Sequence, residues 1–201
     1  MNKLKTAVSL LLYLLLSVSC NDLFLEDPTN RISAETIDDQ ITSIDQAVIN
    51  LESDENAIRD KVEWVLGDLR GKTRVWFKNN RLVMLEESAS SSFGSSIQKY
   101  FLSETNLIYA YEYRVTNNCN RKSSICISES KHYYYQDQLL SAIERKTVVP
   151  NIHLHRYDSP FFDDAIASVP FEVFSQNERS LYQSDMEKYQ QLKNKWESIS
   201  N

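Results

Sequence analysis

Apolar residues recur along residues 34–62 at spacings of three, four and seven. They are Ile37, Ile41, Ile44, Val48, Leu51, Ile58 and Val62. These spacings are typical of an amphipathic helix, and Ser33 is a suitable N-cap. The pattern therefore predicts a helix over 34–62. Its apolar stripe is more simply explained by burial against a sheet than by a coiled-coil seam, which is the alternative.

From Trp64 to about Val149 the pattern changes to runs of aromatic and β-branched residues, which favour strands. One unit occurs three times: an aromatic pair, a polar turn and an aliphatic segment that ends in Glu. The aromatic pairs are Trp76-Phe77, Tyr100-Phe101 and Tyr134-Tyr135, and the closing acids are Glu87, Glu112 and Glu144. Three hairpins in series predict an antiparallel meander of about six strands, and residues 63–68 would add a seventh. The Ser-rich loop 88–96 and the loop 116–124 should lie at one end.

The last fifty residues predict an irregular segment and then a helix. Pro150, Pro160 and Pro170 argue against regular structure over 150–174. Over 177–199, one face is apolar, formed by Tyr182, Met186, Tyr189, Leu192, Trp196 and Ile199. The predicted fold class is α+β: an N-terminal helix, an antiparallel β-meander of six to seven strands and a C-terminal helix, in a single domain over 34–201.

The first twenty residues have a separate pattern. A basic Met1–Lys5, an apolar Ala7–Leu16 and small residues precede Cys20. This resembles a bacterial lipoprotein signal peptide, which implies removal of residues 1–19 and lipidation of Cys20. The apolar run is too short for a transmembrane helix, although an uncleaved anchor or an ordinary secretory leader is an alternative. Residues 20–33 would form a tether, whose acidic start resembles surface-export signals of some Bacteroidota.

The charge balance restricts the partners. The chain has 22 Lys+Arg and 28 Asp+Glu, and loss of Lys3 and Lys5 with the leader leaves a net charge of about −8. An excess of acids argues against nucleic acid and against electrostatic binding to anionic lipid. The expected membrane contact is therefore the lipid on Cys20, which implies the outer membrane, on its periplasmic or surface side.

Cys119 and Cys126 remain once Cys20 is assigned to lipid. An oxidising envelope compartment favours a disulfide, and a hairpin tip can bring the two residues within bonding distance. A metal pair is the alternative, but six intervening residues exceed the usual Cys-x₂₋₄-Cys spacing and no His is adjacent. We therefore predict a disulfide.

The candidate binding residues are tyrosines. Tyr109, Tyr111 and Tyr113 alternate along one predicted strand and so share a face, which Tyr134 could also reach. An open strip of this kind can stack sugars, aromatic ligands or apolar residues of a partner. The alternative is that a helix covers it.

Other groups are weaker candidates for chemistry. Glu87, Glu112 and Glu144 would lie on alternate strands about 10 Å apart, which favours a solvated row with Arg and Lys partners over a catalytic pair. His153 and His155 have Asp158, Asp163 and Asp164 nearby, but no second motif supports a metal, so we expect no metal and no cofactor.

The order of elements resembles a group of uncharacterised small envelope lipoproteins of Bacteroidota over residues 34–199, with an α+β sheet and helices on one face. The group implies no activity. We expect a non-catalytic, lipid-anchored envelope protein that binds or scaffolds a protein or glycan. The alternatives are an envelope glycan or peptide hydrolase, a hydrolase inhibitor or a ligand carrier.

Overall fold

The elements of the fold are given by a computed structural model that describes residues 36–54, 58–117, 119, 124–150, 160–174 and 178–200. Residues 35–201 form one compact unit. In chain order the elements are α1 (Ile37–Ser53), β1 (Ile58–Leu66), β2 (Leu69–Lys78), β3 (Arg81–Ser91), β4 (Gly94–Ser103), β5 (Asn106–Asn117), β6 (Ser124–Tyr135), β7 (Gln138–Pro150), α2 (Pro160–Ala167), β8 (Glu172–Val173) and α3 (Glu178–Ser200).

The N-terminal helix is shorter than predicted. It begins with a capping box in which Thr36 and Asp39 bond to each other's backbone N–H, and it ends at Ser53. Ile58 and Val62, which fit the helical spacing, lie in β1 instead and pair with β2. The apolar period continued across two elements, so it did not show where the helix stops.

Eight antiparallel strands form one sheet in the order of the chain. The α+β class and the meander are therefore confirmed, but the predicted count of six to seven strands is wrong. The additional strand is β8, whose two residues pair with Ile143 and Glu144 at the β7 edge. A strand of two residues is too short to show a period that a sequence pattern could detect.

The three repeated hairpins share one irregular geometry. Each tight turn contains residues with positive φ, such as Asn79 at 50° and Asn80 at 60°. Beside each turn the register shifts, so that one residue of the second strand is left without an opposite partner. These residues are Val83, Ile108 and Leu140. The sequence repeat thus corresponds to a repeated β-bulge.

The helices cover both faces of the sheet, so the expectation of helices on one face is wrong. α3 packs Tyr189 and Leu192 against one face, here called the α3 face. α1 and α2 lie on the opposite face, the α1/α2 face, where Phe162 and Ile166 of α2 contact Tyr113. α2 lies in the segment predicted to be irregular. Pro160 at its first position does not oppose a helix, because the first N–H has no intrahelical partner.

Candidate functional site

The tyrosines predicted to form a binding strip are divided between the two faces. Tyr109, Tyr111 and Tyr113 alternate along β5 and belong to the α1/α2 face. Tyr134 belongs to the α3 face, because Tyr133 is the residue of β6 that pairs with Tyr109. The register between β5 and β6 depends on how the connecting loop closes, which the strand pattern does not determine.

Burial further limits the strip. Tyr109, Tyr113 and Tyr134 are buried, whereas Tyr111 is half-buried. Removal from water is the largest reason why the pKa of each of the four hydroxyls is raised above its ordinary value. A ligand that reaches this strip would therefore meet chiefly Tyr111, and binding there stays a prediction.

α1 covers the part of the strip near the tight turns. The hydroxyl of Tyr133 donates to Asp45 at 3.0 Å, and Lys99 contacts Glu52 at 2.5 Å. The Lys99 ammonium also lies 5.7 Å from the centre of the Tyr111 ring. A narrow cleft of about 330 Å³ remains between α1 and the sheet, and Tyr109 and Tyr111 line it.

Cys119 and Cys126 are joined by a disulfide. Their sulfur atoms are 1.95 Å apart and their Cα atoms 5.8 Å apart. Cys126 lies in β6 opposite Thr116 of β5, so the bond ties the loop end of this strand pair.

Several predicted features lie outside the described residues. They are Cys20 and its leader, and His153, His155 and Asp158. Asp163 and Asp164 are exposed on α2. No helix within the described residues is long and apolar enough to cross a membrane, and these residues contain no group of three or more His, Cys, Asp or Glu side chains that could hold a metal ion.

The repeated acids form a row on the α3 face that follows the helix. Glu87 and Glu112 both lie opposite Gln98 of β4, so they are on alternate strands as predicted. Lys195 contacts Glu87 at 2.6 Å and Lys188 contacts Glu112 at 3.6 Å. Seven helical residues span about 10.5 Å, close to two strand spacings of about 4.8 Å. Glu87 and Glu112 therefore help to hold α3 against the sheet through its two lysines.

A buried polar cluster fixes the other end of α3. Asp185 is 2% exposed, and its Oδ2 accepts a hydrogen bond from the Tyr134 hydroxyl at 2.6 Å. Nδ1 of His132 lies at the same distance from this oxygen. His132 is itself buried where it contacts the helix. The two contacts explain how a carboxylate is tolerated in this core.

An open cavity lies on the α1/α2 face, near the loop end of β1–β4. It is a groove of about 670 Å³. Its floor consists of two rows that run across the strands. One row is Val65, Arg70, Ser90 and Ser95, and the other is Glu63, Lys72, Ser88, Ile97 and Tyr113. Asp163 of α2 lies at the far wall, and we call this site the serine groove.

The floor of the serine groove carries two cations, Arg70 and Lys72, and one acid, Glu63. Arg70 is exposed and forms no ion pair with any residue in the described ranges. Lys72 lies opposite Glu63, and its charge helps to lower the pKa of that carboxyl, although Lys61 is the larger cause. At the far end, burial and the neighbouring Asp163 raise the pKa of Tyr113. The Tyr113 hydroxyl oxygen is buried without a hydrogen bond of good geometry.

A rigid turn forms the rim of the serine groove. Phe93 at its tip is 72% exposed, and its carbonyl accepts from the backbone N–H of Asn117 at 2.8 Å. The Ser92 hydroxyl donates to Asp68 at 2.8 Å, and this bond is the main reason why the pKa of Asp68 is lowered. Gly94 has φ 150°, and a Cβ there would overlap the carbonyl oxygen of Val115.

The sequence reasoning missed the serine groove because residues 88–96 were interpreted as a loop. They are two strand ends joined by a two-residue turn. The spacing of Ser88 and Ser90 is the period of a strand, and this signal could have placed their hydroxyls on one face beside Arg70. The position of α2, which completes the groove, had no such signal.

The chain was compared with known proteins by sequence and by fold. No protein-family model matches it, and neither does any curated protein or solved structure.

Proposed function

We propose that this chain is a lipid-anchored protein of the bacterial cell envelope, held by lipid on Cys20, and that it acts by binding. The pattern of the first twenty residues supports the anchor. The serine groove supports binding, and the exposed Arg70 on its floor is the observation that carries this proposal. A cation that has no acidic partner among the described residues, in a concave site of this size, can bind an anionic group of a ligand.

The separation of the acids makes hydrolysis the weaker hypothesis. Glu63 lies on β1 and Asp163 packs above β5, so four strand spacings of about 4.8 Å place them about 19 Å apart. The two carboxyls of a glycosidase are roughly 5–9.5 Å apart. On the α3 face, Glu87 and Glu112 have lysine partners on the helix, and Glu144 pairs with Lys146 of its own strand. These positions suit a site that holds a ligand rather than one that cleaves it.

Metabolic labelling with palmitate tests the anchor. We expect the expressed chain to incorporate label and to sediment with membranes, and Cys20→Ala to do neither. The double variant Cys119→Ala and Cys126→Ala is the matched control and should label like the unchanged chain. Label on the Cys20→Ala chain, or its retention in membranes, would contradict the anchor.

Crosslinking in native membranes tests binding through the serine groove. We expect the unchanged chain and Arg81→Gln to capture the same envelope component, and Arg70→Gln to lose it. Arg81 is a matched control because it is exposed on the neighbouring strand at the opposite end of the sheet. Equal capture by Arg70→Gln would contradict a role for the groove.

A further inference from the structure

We infer that the serine groove binds an acidic saccharide, namely a short glycan with carboxylate groups. This inference rests on the proposed binding function and names the chemical class of the ligand. It is carried by the hydroxyls and cations on the floor, by the aromatic end of the groove and by the paired backbone beneath it.

The hydroxyls on the floor match the polar groups of a sugar. Ser88 and Ser90 alternate along β3, and Ser95 lies beside Ser90 on β4. A serine hydroxyl can both donate and accept, as each hydroxyl of a sugar does. A row of such groups on a rigid sheet can therefore satisfy several sugar hydroxyls in either direction of donation.

The cations on the floor select for acid groups. Arg70 and Lys72 are two residues apart on β2, so they lie on the same face about 7 Å from each other. Lys72 is partly compensated by Glu63, whereas Arg70 forms no ion pair among the described residues. The planar guanidinium of Arg70 can hold a carboxylate through two parallel hydrogen bonds, which a neutral sugar cannot match.

The far end of the groove offers apolar surface to the C–H face of a sugar ring. Tyr113 and Ile97 lie next to each other there. Aromatic residues combine an apolar face with a polar group, as a sugar does.

The backbone beneath the groove favours a saccharide over an acidic peptide. An extended peptide gains affinity by adding to an open sheet edge through backbone hydrogen bonds. Arg70, Lys72 and the three serines lie on β2, β3 and β4, each of which is paired on both sides, whereas β1 at the outer end of the groove is an edge strand. Over these three strands a ligand meets side chains and not free backbone groups, and the polar ones are the serine hydroxyls and the two cations.

Calorimetric titration of the full chain in detergent micelles tests the inference. The acidic probes are trigalacturonate and sialyllactose, and their neutral counterparts are the trigalacturonate methyl ester and lactose. We expect at least one acidic probe to bind about tenfold or more tightly than its counterpart, since a charge-assisted pair contributes this much. Arg70→Gln should lose that preference, Ser88→Ala should weaken binding and Arg81→Gln should bind like the unchanged chain.

The outcomes separate this inference from the proposed function. Failure of both acidic probes, equal binding of the neutral counterparts, or tighter binding of hexaglutamate overturns the saccharide. If capture in native membranes still depends on Arg70, binding through the serine groove remains supported even though the ligand is not an acidic saccharide. Thermal melting shows whether each variant is folded. If Arg70→Gln does not fold, the weaker binding expected of Ser88→Ala tests the inference instead.

Discussion

The two faces of the sheet are covered in different ways. On the α3 face, one helix of 23 residues, about 35 Å long, crosses the sheet from β7 to β1, a distance of about 29 Å. On the α1/α2 face, helices of 17 and 8 residues divide the surface between them. The helix on the α3 face therefore reaches from one side of the sheet to the other, whereas the α1/α2 face has an open region, the serine groove.

This difference between the faces shows where a ligand can bind without weakening the fold. On the α3 face, Lys188, Lys195 and Asp185 are engaged by partners on the sheet, so their charges hold the helix. On the α1/α2 face, Arg70 and Lys72 lie where neither helix reaches. A ligand can therefore use charges on the second face without displacing a helix.

The largest expected effect is on the α3 face. Asp185→Ala removes the acceptor shared by His132 and Tyr134, and we expect it to lower the free energy of unfolding by about 3–5 kcal/mol. Urea denaturation measures this loss. Glu187→Ala, two residues along the same helix and exposed, should change stability by no more than about 0.5 kcal/mol. Similar values for both variants would remove the contrast between the faces.

The next prediction compares neighbours on the α1/α2 face. Tyr109→Ala truncates a buried aromatic residue and should cost about 3–5 kcal/mol, whereas half-buried Tyr111→Ala should cost about half as much. Thermal and chemical denaturation of both variants give the difference. If Tyr111→Ala costs as much as Tyr109→Ala, the strip is fully covered and cannot meet a ligand.

The disulfide should contribute less. Replacing Cys119 and Cys126 by Ser should lower stability by about 2–3 kcal/mol, because the closed loop is short. The two Ser substitutions should leave Arg70-dependent capture unchanged, since neither residue lines the serine groove. Loss of capture in a variant that remains folded would contradict this expectation and would show that binding in the groove depends on the disulfide.

The smallest effect concerns the rim of the serine groove at low pH. The Ser92 hydrogen bonds lower the pKa of Asp68 below its ordinary value of 3.8, so this contact stabilises the turn above that pH. Its contribution is lost as pH falls through the lowered pKa. The Ser92 amide shift, followed by NMR, should titrate with a midpoint below 3.8 and should not titrate in Asp68→Asn. A midpoint at or above 3.8 would contradict the contact.

The sequence repeat was sufficient to predict the hairpins, because each one contains its own turn and strands. It placed Glu87, Glu112 and Glu144 correctly on alternate strands, since their position depends only on local pairing. It could not place Tyr134, whose face depends on the register across a longer loop. The alternation of Ser88 and Ser90 could have placed their hydroxyls beside Arg70, but the groove itself could not be predicted, because it exists only where α1 and α2 leave the sheet open.

The strand order has a consequence for how the chain folds. Each strand pairs with the strand next to it in sequence, and the pairings from β1 to β7 close only short loops, whereas the β7–β8 pairing closes residues 151–171. The strands from β1 to β7 can thus pair one after another as the chain is synthesised, because each partner is close in sequence. We expect this sheet to fold faster than β-sandwiches of similar size, whose pairings are more remote in sequence. The docking of α3, which joins residues such as Lys195 and Glu87 across more than a hundred positions, would then be the late step.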